Sequence, residues 1–143
     1  MFIMASGIYN IWKSEIMKKT VDMVYDVIRV MLLNNTHAFN PDHTLKTDVN
    51  ANEITGTGYT ANGAALAGKA VTADNVDDEG VFDANDVSWA AASFSAYHAV
   101  IYDDTLTSPA DMLIASIDFG GIQTVTNGTF TIQFATEGII NIN

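Results

Sequence analysis

The chain has 143 residues, a length that suits one domain with one core, and its 48% apolar content is ordinary for a folded protein. It has no cysteine, which excludes a disulfide framework, a thiolate nucleophile and a sulfur-ligated metal. The formal charge of -11 is uneven: residues 1–29 hold Lys13, Lys18, Lys19 and Arg29 against three acids, whereas residues 30–143 hold only Lys46 and Lys69 against fourteen, an acidic body that repels phosphate backbones and argues against nucleic-acid binding.

The opening stretch, MFIMASGIYNIW, is apolar. No cation precedes it, Lys13 follows it, and Ser6, Gly7 and Asn10 interrupt it, so it reads as neither a secretory signal nor a membrane span. Met4, opening MASG, offers an alternative start. Ile8, Ile11, Trp12, Ile16 and Met17 recur at helical spacing, with Lys13, Lys18 and Lys19 elsewhere on the wheel. The pattern predicts an amphipathic helix over 7–19, capped by Ser6. In VYDVIRVMLL the period changes to alternation rich in β-branched residues, which predicts a strand within 21–33; a continued helix is the competing reading. Residues 34–52, full of Asn, Asp and Thr, read as loop.

From residue 53 onward every segment reads as β structure: ITGTGY, KAVTADNV, GVFDANDVSW, SFSAYHAVIYDD, DMLIASIDF and the terminal GIINI. GIQTVT and TFTIQF flank Asn127-Gly128, a pair suited to a two-residue I′ turn. That predicts a hairpin in which Val125 faces Phe130 and Thr124 faces Thr131. Turn signals about every ten residues predict a mainly β domain over 1–143, an antiparallel β-sandwich of Ig-like or jelly-roll-like type behind a short N-terminal helix, with 53–143 as the main β region.

Little in the chain points to chemistry. His37 and His43 lie six apart in the polar loop and His98 falls in a strand, without the close spacing of a helical zinc pair. There is no G-x-S-x-G, P-loop or G-x-G-x-x-G. NVDDEGVFDAND resembles a calcium loop only in part: position 1 is Asn75, position 12 is Asp86, and the flanks read as strands rather than helices. A looser calcium site from Asp74, Asp77, Asp78, Asp83 or Asp86 is the weak alternative to a solvated loop, so the expectation is no catalysis, no cofactor and no resident metal.

The segments GTGYTANGAALAGKAVT, FDANDVSW, AVIYDD and LIASIDFG, behind MASGIYNIW, resemble a family of small virion structural proteins of tailed bacteriophages. The resemblance covers residues 5–142. It implies a β-rich virion component, most specifically a capsid decoration or cement protein on the outer capsid surface. Such a protein binds the major capsid protein, bridges capsomers and assembles as a homotrimer, with no nucleic-acid or membrane partner. A tail, neck or fibre component acting as an attachment or glycan-binding module is the alternative, favoured by Tyr59, Tyr97 and Tyr102 among Asn and Asp. The family carries no active-site motif, so no residue role transfers. A symmetric contact needs exposed apolar surface. The candidates are the Trp12/Ile16 helix face, Trp89 to Phe94, and Ile139 and Ile140 in GIINI, each competing with core burial. Lys13, Lys18 and Lys19 are candidates for an acidic partner surface.

Overall fold

The computed structural model describes residues 2–143. Among them the chain forms nine strands and one α-helix. Strands β1 (Phe2–Ile3) and β2 (Gly7–Ile8) precede helix α1 (Asn10–Met17). There follow β3 (Ile28–Leu33), β4 (Ala64–Ala65), β5 (Ala70–Asp74), β6 (Glu79–Asp83), β7 (Val87–Thr107), β8 (Ala110–Phe134) and β9 (Ile140–Ile142). The protein is mainly β with its helix near the N-terminus, as the alternating patterns predict.

The larger sheet runs β1-β8-β7-β3-β4, with β2 also paired to β8. β1 joins β8 in parallel; the other pairings among the described residues are antiparallel. The smaller sheet, β5-β6-β9, is antiparallel throughout. The two sheets share one apolar cluster in a sandwich-like arrangement. Val30, Ile101 and Ala115 enter it from the larger sheet, Phe82 and Ile140 from the smaller, and Trp12 from α1. The opposite face of the larger sheet is closed by a second cluster, in which Met31, Leu33, Val100, Tyr102 and Leu113 meet Tyr9 and Val49. Residues 34–52 form the predicted loop, with two short 3-10 turns at Lys46–Asp48 and Asn50–Asn52, and bury His37 and Val49. Burial on both faces explains why β3 ends in the continuous apolar run VMLL.

Several local expectations are corrected. The helix is shorter than 7–19, because Gly7 and Ile8 pair with Ser116 and Ala115 as strand. Tyr9, not Ser6, sits at the N-cap; the Ser6 hydroxyl instead accepts the Asp118 N–H at 2.9 Å. Only Ile28–Leu33 of 21–33 is strand. Before it, Asp22 Oδ1 accepts the Val24 and Tyr25 N–H groups and holds a turn. ITGTGY is not a strand: Glu53 and Thr57 make single bridges to Leu33 and Ser93. At Gly63 the chain takes φ +70°, and a Cβ there would collide with the Val30 carbonyl.

The largest correction concerns Asn127-Gly128. β8 runs straight through it, and the reversal lies between Thr107 and Ala110, which pair with each other. Val125 pairs with Phe94 and Phe130 with Trp89; Thr124 pairs with Ser95 and Thr131 with Ser88. Asn127 does adopt a positive φ of 48°, but in a bulge. An opposing bulge at Ala91, φ 50°, restores the register. Pairing along β7 wins because it buries Trp89, Phe94 and Phe130 together, which a local hairpin leaves apart.

Candidate functional site

The smaller sheet has two unlike faces, and its strand alternation sets them. Val71, Phe82, Ile140 and Ile142 point toward α1, whereas Asp74, Glu79 and Asn141 belong to the opposite face. Beside α1 the apolar face leaves a groove in two adjoining sections of about 360 Å³ and about 400 Å³, both lined by Trp12, Ile16 and Ile142. Met17 is 80% exposed beside it, and Lys13 lines one wall. Lys18 and Lys19 follow at the C-terminal end of α1; Lys18 reaches Glu15 at 2.8 Å, whereas Lys13 and Lys19 make no ion pair among the described residues. Asp22 also lines the groove, with Oδ1 engaged by its own turn. Arg29 faces Asp104 at 3.9 Å and Lys46 binds Asp111 at 2.9 Å, whereas Lys69 donates to the Leu66 carbonyl at 3.5 Å.

The sheet's other face ends in an acidic hairpin tip. Asp74 pairs with Glu79 across the tip, and its Oδ1 accepts the Val76 and Asp77 N–H groups at 2.8 and 3.3 Å. Carboxylate oxygens of Asp74, Asp77 and Glu79 lie within 4.8 Å of one another. Of the calcium candidates, then, the fold gathers Asp74 and Asp77 and adds Glu79, legible only through its strand register. Asp78, Asp83 and Asp86 are not in the cluster. Asp83 keeps a buried, unpartnered Oδ1, and Asp86 Oδ1 accepts the Phe134 N–H at 3.0 Å. At the centre of the tip, Val76 is 89% exposed.

A third polar group lies under loop 34–52. His37 is buried, with Nε2 3.3 Å from Ser116 Oγ and its ring 5.2 Å from that of His98. His98 Nδ1 lies 3.7 Å from Asp118 Oδ1. Burial, aided by His98 and His43, lowers the His37 pKa to about 4, so its ring is neutral at neutral pH. Burial also raises the Tyr9 hydroxyl beside this group to about 12. The arrangement docks the loop onto Ser116 of β8, a contact 79 residues apart that spacing alone does not reveal.

The predicted surface residues divide. Lys13, Lys18 and Lys19 are exposed and Ile16 is half-buried at the groove. Trp12 is buried, its indole N–H directed at Met23 Sδ at 3.3 Å, and reaches the groove only as its floor. Trp89, Phe94, Ile139 and Ile140 are core residues and present no contact surface: the first two pack with Phe130, the others against the shared core. Two of the three tyrosines are engaged inside the fold: Tyr59 donates to Glu53 at 2.7 Å, and Tyr102 to the Asn62 carbonyl at 2.8 Å. No helix among the described residues is long and apolar enough to cross a membrane. No family model, curated protein or solved structure matches this chain.

Proposed function

We propose that this chain is a non-enzymatic virion structural protein, a capsid decoration or cement protein that binds the outer shell and bridges capsomers. The observation that carries the reading is the separation of surfaces on one β scaffold: an apolar groove with Lys13 in its wall, and an acidic body elsewhere. Assembly proteins need spatially separate, chemically unlike contact faces held rigidly, because each copy engages several neighbours at once. The likeness of GTGYTANGAALAGKAVT, AVIYDD and LIASIDFG to small phage virion proteins supplies the setting. Engagement of Tyr59 and Tyr102 within the fold leaves the tail or fibre alternative with less exposed aromatic surface for a glycan.

Copies per particle, counted by quantitative mass spectrometry against the major capsid protein, test the reading. A decoration protein appears in roughly hundreds of copies, as icosahedral symmetry requires. A count of about three to twenty-four, matching the cyclic symmetry of a tail or neck, overturns it.

A further inference from the structure

Among the described residues Asp103 is the acid with no exposure at all. It lies near the end of β7, opposite Ile28 of β3 and Met112 of β8. Its Oδ1 accepts the Thr105 and Leu106 N–H groups at 2.9 and 3.2 Å, whereas its Oδ2 is buried and meets no donor. A buried carboxylate oxygen left without a donor is costly. The group beside it is a second acid, Asp26, the side-chain hydrogen-bond neighbour of Asp103. The backbone puts it there: the next residue, Val27, donates its N–H to Thr105 Oγ1 at 2.6 Å and accepts the Asp104 N–H at 2.8 Å. Two carboxyl groups make a hydrogen bond only when one of them holds a proton. No cation relieves the pair, since neither acid has an ion-pair partner among the described residues; Arg29 of β3 faces Asp104, and Lys46 binds Asp111 of β8. Asp22, the other acid of the turn, accepts the Val24 and Tyr25 N–H groups and donates its own N–H to Asp26 Oδ2 at 2.7 Å.

We propose that Asp26 and Asp103 share one proton, and that this proton latches the turn at 22–26, with the groove wall it carries, against the end of β7. Val21, Asp22, Met23 and Val24 belong to that wall. Met23 is buried, and its Sδ meets the Trp12 indole N–H at 3.3 Å in the groove floor. With the proton in place, Asp103 Oδ2 has its donor, and the turn is tied to β7 by side chains as well as by the Val27 backbone. Loss of the proton sets two negative charges against each other at the edge of the core, so the side-chain tie becomes a repulsion. Burial first, and Asp26 with it, raises the Asp103 pKa from 3.8 to about 6. The folded pair therefore keeps its proton to a higher pH than the unfolded chain does; the latch is closed in mildly acidic solution and loosens as pH rises through about 6. It stands whether or not the chain decorates a capsid.

NMR of the intact chain between about pH 5 and about pH 8 tests the latch, with the Asp103 carboxyl carbon reporting the proton and amide protection factors reporting the turn. The expected result is an Asp103 titration near 6, with protection of the Val27 and Asp104 N–H groups falling about tenfold across it. The Trp12 indole resonance should move with the same midpoint, because its N–H rests on Met23 of the turn. The distal β7–β8 amides, around Trp89 and Phe130, should hold their protection. Asp103→Asn keeps an acceptor oxygen and adds an N–H donor toward Asp26, so it should hold the turn closed at every pH in the range. Asp26→Asn supplies the same donor from the other side; Asp26 is only half-buried, so this variant decides the question should Asp103→Asn fail to fold. An Asp103 carboxyl that titrates in the ordinary carboxylate range overturns the shared proton. A titration near 6 that leaves the turn amides and the Trp12 indole unmoved overturns the latch, as does wild-type pH dependence of those signals in Asp26→Asn.

Discussion

Near their shared turn, β7 and β8 are buried on both faces, through Ala99–Asp103 and Met112–Ile117. Farther along the same two strands only one face is covered: Trp89, Phe94, Phe130 and Ile132 turn inward, while Ser88, Ser95, Thr124 and Thr131 face solvent. The outer row pairs hydroxyl to hydroxyl, Ser88 with Thr131 and Ser95 with Thr124, each at 2.8 Å. One pair of strands thus serves as a central layer at one end and as an outer layer at the other. What differs is the cover. Loop 34–52 closes the second face of the turn-proximal half, and nothing among the described residues closes it distally.

The comparison is broken most severely by cavities. Ile101, fully buried between Val30 and Ala115, has no room to relax, and Ile101→Ala should cost about 4 kcal/mol in urea unfolding. Phe130→Ala removes more atoms, yet Phe130 is 9% exposed on the half of the ribbon covered on one face only, where water can enter the space left beside Trp89, Phe94 and Phe119; about 3 kcal/mol is expected. If Phe130→Ala proves the more damaging, the distal half is packed as tightly as the proximal one and the contrast fails.

Acid sharpens the same contrast. The His37 pKa falls from 6.5 to about 4 on folding, so the unfolded chain binds the extra proton first. Its contribution to stability is present above about pH 6.5 and is lost as pH falls toward 4, on the order of 2 kcal/mol. Facing His37 are His98 and Asp118 on β7 and β8, Ser116, and His43 on its own loop. Asp103 works in the opposite sense: burial, with Asp26 acting in the same direction, raises it from 3.8 to about 6, so its contribution is present below pH 3.8 and lost as pH rises through 6. His37→Gln should therefore flatten the acid limb of stability against pH, while Asp103→Asn flattens the limb near pH 6. Hydrogen exchange at low pH should quicken first in loop 34–52 and the amides beneath it. Uniform quickening along the whole ribbon would show that the loop is no separate cover.

How much of this was legible depended on whether the signal was local. Alternation in DMLIASIDF and VFDANDVSW revealed the β character, and the polar composition of 34–52 revealed the loop. The lysines of α1 were legible as exposed because nothing apolar competes for their positions. Trp89, Phe94, Ile139 and Ile140 were misjudged as surface candidates because residue type does not report which face a partner strand covers. The groove was invisible, since it arises where α1 meets strands some sixty to one hundred and thirty residues later. Glu79 joined Asp74 and Asp77 only through the β5–β6 register, and His37 reached Ser116 across the sheet. At Asn127-Gly128 the local signal was real, since Asn127 does take a positive φ, but long-range pairing with β7 used it for a bulge.

That bulge supplies the smallest and most discriminating test. The Asn127 N–H donates to Ser93 Oγ at 2.9 Å, and the Ser93 hydroxyl faces Asn127 Oδ1 at 3.4 Å. Asn127→Ala places a residue ill-suited to φ 48° and removes the amide, and should cost about 1 kcal/mol; Asn127→Gly should cost less. The energy alone does not separate a bulge from a hairpin turn, because both need the positive φ. A double-mutant cycle does. In the ribbon, Ser93 and Asn127 touch across β7 and β8, so Ser93→Ala and Asn127→Ala should couple by about 0.5 kcal/mol or more. In a free-standing hairpin over 122–134, Ser93 has no neighbour at the turn and the two losses add. Strict additivity would return Asn127-Gly128 to the tip of its own hairpin and shorten the ribbon on which the contrast between the two halves depends.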